Sequence, residues 1–144
     1  MKKLLLLLLC TTSMWGQSFF DTTIGGGVTK VDNKIEPFGG MELRYSLPIP
    51  YISKLWVSPS ARFDIVGYEY EMNPSFTIGG TYSPKDWIMI TGGVFTKDTW
   101  YDYFVRTDIK IIGTEEGWIG GTVNVYDNKV LFGITFKDFL NKEL

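Results

Sequence analysis

From Gln17 onward, apolar and polar positions alternate with a period of two along nearly the whole chain, and no stretch sustains the three-to-four-residue spacing of a helix. Such alternation is the mark of a strand whose two faces meet different surroundings. The clearest case sets Ile35, Pro37, Gly39, Met41, Leu43, Tyr45 and Leu47 against Glu36, Phe38, Gly40, Glu42, Arg44 and Ser46. A second sets Leu55, Val57, Pro59, Ala61, Phe63 and Ile65 against Trp56, Ser58, Ser60, Arg62 and Asp64. A third opposes Tyr101, Tyr103, Val105, Thr107, Ile109 and Ile111 to Asp102, Phe104, Arg106, Asp108 and Lys110. Further strands fit over 19–31, 70–83, 86–97, 117–126 and 129–139. Their apolar faces carry Phe20, Ile24 and Val28, then Phe76 and Ile78, Ile90 and Val94, Val123 and Val125, and Phe132, Ile134 and Phe136.

The links support that register. A two-residue hairpin loop makes its flanking residues face the same side. The pairs around Asp32-Asn33, Asp98-Thr99 and Asp127-Asn128 all fall on the polar face, and Gly67 and Tyr70, around Tyr68-Glu69, fall on the apolar one. Asp and Asn suit such tips because they tolerate positive φ. Ser83-Pro84-Lys85-Asp86 and Thr114-Glu115-Glu116-Gly117 mark turns at the opposite end. Every link is too short for a crossover between parallel strands, which predicts an all-β, eight-stranded antiparallel up-and-down barrel with short loops at both ends.

Alternation alone leaves open which face points inward. The polar face mixes Gly, Ser and Thr with Trp56, Trp87, Phe95, Phe104 and Trp118, a blend suited to the tightly filled lumen of a small barrel. The apolar face has no charged residue in the middle of any assigned strand, as lipid contact requires, since Lys or Arg at the bilayer midplane costs about 2–4 kcal/mol. Leu43, Phe63, Ile65, Phe76, Ile90, Ile109, Val123 and Ile134 are the expected lipid-facing residues. Phe20, Tyr45, Tyr82, Tyr101, Tyr103 and Phe136, near strand ends, suit interfacial girdles. Paired glycines such as Gly25-Gly26, Gly79-Gly80 and Gly92-Gly93 suit a narrow, strongly curved wall.

The first 16 residues change the address. Lys2 and Lys3 precede an unbroken run from Leu4 to Leu9, and Ser13 and Gly16 supply small residues. That is the layout of a secretory signal peptide, too short to span a bilayer as a helix. Residues 1–16 are therefore expected to be removed, leaving 17–144 as one barrel domain, in the outer membrane of a Gram-negative-type bacterium. Cys10, the only cysteine, falls within the signal. An acylated Cys10 is the weaker reading, because Leu9 stands where lipoprotein signals have a small residue.

The sequence resembles the small eight-stranded outer-membrane barrels of the OmpA transmembrane-domain and OmpX type, over all of 17–144 and by pattern. The resemblance implies a transmembrane β-barrel in outer-membrane lipid. It also implies a closing strand read by the barrel-assembly machinery, to which Gly133 and Phe136 conform, whereas Asp138 stands where a further aromatic belongs. The family's long exterior loops are lacking here.

Little chemistry is on offer. No histidine is present, which excludes Ser-His-Asp and Cys-His activation, a histidine base and the usual zinc sites. Removing Lys2 and Lys3 takes the 14 basic residues to about 12 against 16 acidic ones, which disfavours nucleic acid. No catalytic residue, metal, cofactor or specific protein partner is expected. The candidate site is a lumen charge network of Glu42, Arg44, Arg62, Asp64, Arg106, Asp108 and Lys110, with Glu42 in diagonal reach of Arg62. Three readings follow: a plug that fixes the register of an envelope protein, a very narrow polar path, or an inverted, secreted lipocalin-like barrel around a hydrophobic ligand. The link Pro48-Ile49-Pro50-Tyr51-Ile52 suits a stiff turn, or an apolar segment lying at a membrane or partner.

Overall fold

In the computed structural model, which describes residues 17–66, 71–97, 100–126 and 129–140, eight antiparallel strands run in sequence order and close into a barrel. They are β1 (Phe19–Val31), β2 (Lys34–Pro48), β3 (Leu55–Val66), β4 (Glu71–Lys85), β5 (Ile88–Lys97), β6 (Trp100–Gly113), β7 (Gly117–Tyr126) and β8 (Lys129–Phe139). Each strand pairs with its neighbours in sequence, and β1 closes on β8 over a ladder from Phe19–Phe139 to Thr29–Lys129. No helix occurs among the described residues.

The hairpin reasoning meets the ladders directly. Val31–Lys34, Lys97–Trp100 and Tyr126–Lys129 are cross-strand partners. Asp32 and Asn33 adopt φ of 45° and 64°, the two positive values that a type I′ hairpin turn demands. The tips at 67–70, 98–99 and 127–128, and the signal segment 1–16, lie outside the described residues.

One boundary differs from the sequence reading. Ser83-Pro84-Lys85-Asp86 is not the turn: β4 runs on to Lys85, and the link is Asp86-Trp87. Between Tyr82 and Lys85 the register slips, an irregularity that accommodates Pro84, which has no N–H for the ladder. The Ser83 hydroxyl donates to the carbonyls of Lys85 and Ile88, at 2.8 and 3.1 Å, and so ties the link together. Trp87, placed by alternation in the lumen, is consequently exposed at the rim.

Glycine is required where neighbouring strands leave no room for a side chain. A Cβ on Gly93 would lie 2.2 Å from the Ile78 carbonyl oxygen and 2.5 Å from the Cα of Gly79, its cross-strand partner. Its neighbour Gly92 faces outward, and a Cβ there would meet nothing within 4 Å.

Candidate functional site: the enclosed lumen

Parity along each strand decides what reaches the axis. On β2, Glu42, Arg44 and Ser46 are buried while Met41 and Tyr45 are exposed. On β3, Trp56, Ser58, Ser60, Arg62 and Asp64 turn inward, and on β6 Phe104, Arg106 and Asp108 do. The outer wall carries the complementary set. Ile65, Phe76, Ile90, Ile109, Val123 and Ile134 are exposed, and Leu43 and Phe63 are half-buried among their outer-face neighbours. Arg44, Arg62 and Arg106 retain only 1–2% of their accessible surface.

The centre of the lumen is a web of ion pairs anchored on two aspartates. Arg44 donates through Nε to Asp21 Oδ2 at 2.8 Å, through Nη2 to Asp108 Oδ2 at 2.8 Å and through Nη1 to Thr91 Oγ1 at 2.7 Å. Arg106 reaches the same two carboxylates, through Nε to Asp108 Oδ1 at 2.7 Å and through Nη2 to Asp21 Oδ1 at 3.2 Å. Its Nη2 also donates to Thr23 at 2.7 Å and Thr135 at 3.1 Å. Thr122 donates to Asp108 at 2.6 Å. The Lys137 ammonium lies 3.5 Å from Asp21 and 3.6 Å from Asp108.

A second centre surrounds Glu42 and Asp64. Glu42 and Arg62 are direct ladder partners rather than diagonal ones, paired at 2.8 Å, and Arg106 Nη1 lies 3.2 Å from the same carboxylate oxygen. Asp64 accepts from the Tyr126 hydroxyl, 2.9 Å from each carboxylate oxygen, and from Lys129 at 3.1 Å. The Arg62 guanidinium lies over the Tyr126 ring at 3.9 Å. Glu42 Oε1, Arg62 Nη1 and Arg106 Nη1 make no hydrogen bond, so this centre is less completely satisfied than the one on Asp21 and Asp108.

Hydroxyls fill the remaining wall. Ser46, Ser58, Thr81 and Thr91 form a chain of contacts at 2.7–2.8 Å across β2 to β5, ending on Arg44, and Ser60 pairs with Thr77. Among the described residues the buried charges balance: Asp21, Glu42, Asp64 and Asp108 against Arg44, Arg62, Arg106 and Lys137. Balance matters because one uncompensated ion here would cost several kcal/mol.

Apolar layers close this polar centre at both ends. On the side of the chain termini, Phe19, Trp56, Met89 and Trp118 pack together with Phe139 against them, and the Lys137 ammonium lies over the rings of Phe19 and Trp118 at 4.2 and 4.8 Å. Toward the opposite end, Phe38, Phe95, Phe104, Tyr126 and Leu131 form the second layer, with Phe38 and Phe95 edge-on to Tyr126.

The sequence-derived set is therefore altered at three places. Lys110 does not join the network: the register slips between Lys110 and Ile112, and its ammonium sits at the rim, 3.4 Å from the Thr114 carbonyl. Asp21 and Lys137, absent from the expected set, are central. Their signal was parity, since Asp21 alternates with Phe20 and Lys137 with Phe136.

Among the described residues no group of acidic side chains is arranged to hold a metal ion. No protein-family model matches this sequence, and no curated protein matches it.

Proposed function

We propose that this chain is a small outer-membrane barrel of the OmpA transmembrane-domain and OmpX kind, with a structural role in the envelope and a lumen sealed by its own side chains. The observation that carries this reading is the sidedness of the wall. Apolar side chains ring the outside on all eight strands, while the charged residues of the strand centres are enclosed and paired. Water on that outer surface would leave large apolar side chains of every strand exposed beside one another, the kind of extended apolar surface that soluble monomers rarely carry. Lipid removes the difficulty, and Tyr101 and Tyr103 toward one end, with Phe20, Tyr45, Tyr82 and Phe136 toward the other, suit the two headgroup levels.

Two features favour a plug over a conducting path. The buried charges are paired with one another, and an apolar layer covers the network at either end. The same charges argue against a lipocalin-like site, whose interior must be apolar and open. Fractionation tests the location: a carbonate-resistant membrane pellet with heat-dependent gel mobility is expected, and a soluble periplasmic band would contradict it. Planar-bilayer recording tests the plug. The parent protein should be silent, and Arg62→Ala with Arg106→Ala should lower thermal stability; steady ion currents from the parent would favour the narrow path.

A further inference from the structure

The rim beside the chain termini is chemically two-sided. Along one arc, from the β2–β3 link to the end of β6, large apolar side chains project beyond the strands. Tyr51 is 78% exposed, and Ile52 and Trp87 are about half exposed. Tyr51 and Lys54 hold φ of 68° and 62°, a region that non-glycine residues adopt at a cost. The link is nonetheless compact, with Ile49 N–H donating to the Leu55 carbonyl, and it turns its apolar residues away from the lumen.

Backbone bonds join this link to its neighbours into one surface. Ser83 N–H donates to the Lys54 carbonyl and Lys110 N–H to the Trp87 carbonyl. At the irregularity in β6, consecutive Ile111 and Ile112 are both exposed. Lysines accompany the apolar residues: Lys54 and Lys85 stand on this arc, its carboxylate Asp86 is paired with Lys54 at 3.1 Å, and Lys110, at its edge, turns its ammonium to the Thr114 carbonyl. The opposite arc, at the β6–β7 link and the end of β8, presents exposed Glu115, Glu116 and Asp138, while Lys137 there points inward.

We infer that the lysine-bearing arc is a binding surface for anionic phospholipid headgroups in the leaflet on the side of the termini. Tyr and Trp rings settle at headgroup depth, and lysines beside them lay their stems on apolar surface and direct their ammonium groups to lipid phosphate. Glu115, Glu116 and Asp138 repel the same surface, so the barrel sits deeper on one side than on the other. This inference rests on the reading that the outer wall contacts lipid.

Nitroxide labels at Trp87→Cys, Glu116→Cys and Ile134→Cys, each in a Cys10→Ser chain, test both levels separately. The protein is reconstituted in vesicles of phosphatidylcholine with phosphatidylglycerol, and the labels are read by collision with oxygen and with a water-soluble nickel reagent. Position 134 should lie in hydrocarbon, 87 at headgroup depth and 116 in water. The wall should also restrict spin-labelled phosphatidylglycerol in preference to phosphatidylcholine, and Lys54→Gln with Lys85→Gln should reduce that preference by about twofold or more. A water-exposed label at 134 sinks the lipid-wall reading itself. With 134 in hydrocarbon, a label at 87 as nickel-accessible as that at 116, or an unchanged preference in the lysine variant, overturns this inference alone.

Discussion

Replacing Arg106 by Met removes one charge from a balanced set while keeping a side chain of similar length. The parent side chain donates to Asp108, Asp21, Thr23 and Thr135, and lies 3.2 Å from Glu42. Its loss leaves Asp21, Glu42, Asp64 and Asp108 facing only Arg44, Arg62 and Lys137 among the buried charges. Breaking a buried pair by removing one partner costs about 3–5 kcal/mol, because the other charge stays enclosed. Adding Asp108→Asn restores neutrality, so the double variant should lose less than the two single variants summed, with a coupling of roughly 1–3 kcal/mol. Urea unfolding in phospholipid vesicles, followed by tryptophan fluorescence and by the mobility of the folded band, gives both quantities. The reasoning fails if Arg106→Met stays within about 1 kcal/mol of the parent or if the losses simply add.

Asp108 accepts from Arg44, Arg106 and Thr122, whereas Glu42 has one oxygen without a hydrogen bond. Asp108→Asn should therefore lower the urea midpoint more than Glu42→Gln, and the reverse order would mean that the centre on Glu42 and Asp64 contributes more to stability than the one on Asp21 and Asp108. Gly93→Ala forces a methyl group against the Ile78 carbonyl and should greatly reduce the yield of folded barrel, while outward-facing Gly92→Ala should leave it unchanged. Ile134→Lys should cost about 2–4 kcal/mol in vesicles if it lies near the bilayer midplane; a cost near zero would mean that the outer wall faces water.

Much of this architecture was legible because a strand has only two faces. Once Arg44 and Arg62 are placed inside, every residue two positions away follows, and short links fix each strand against the next. The same rule places Asp21 and Lys137 inside, since each alternates with an outward phenylalanine, Phe20 and Phe136. Parity misleads where the ladder slips. Pro84 cannot donate to a neighbouring strand, so the chain takes up the irregularity there and carries Trp87 to the rim. The slip after Lys110 likewise leaves that lysine beside Thr114 rather than beside Asp108. The partners inside the lumen were less legible. Whether Arg106 meets Asp21 or Asp64 depends on how strands far apart in sequence stagger around the closed wall, which no single strand's pattern specifies.

The central claim concerns which side chains touch hydrocarbon. A phospholipid carrying a photoreactive diazirine midway along its acyl chain, activated in vesicles containing the folded protein, reports this residue by residue through peptide mass spectrometry. Phe63, Phe76, Phe132 and Ile134 should take the label, while Phe95, Phe104 and Trp118 stay unmodified. Label on the inward set, or none on the outward one, would contradict the account.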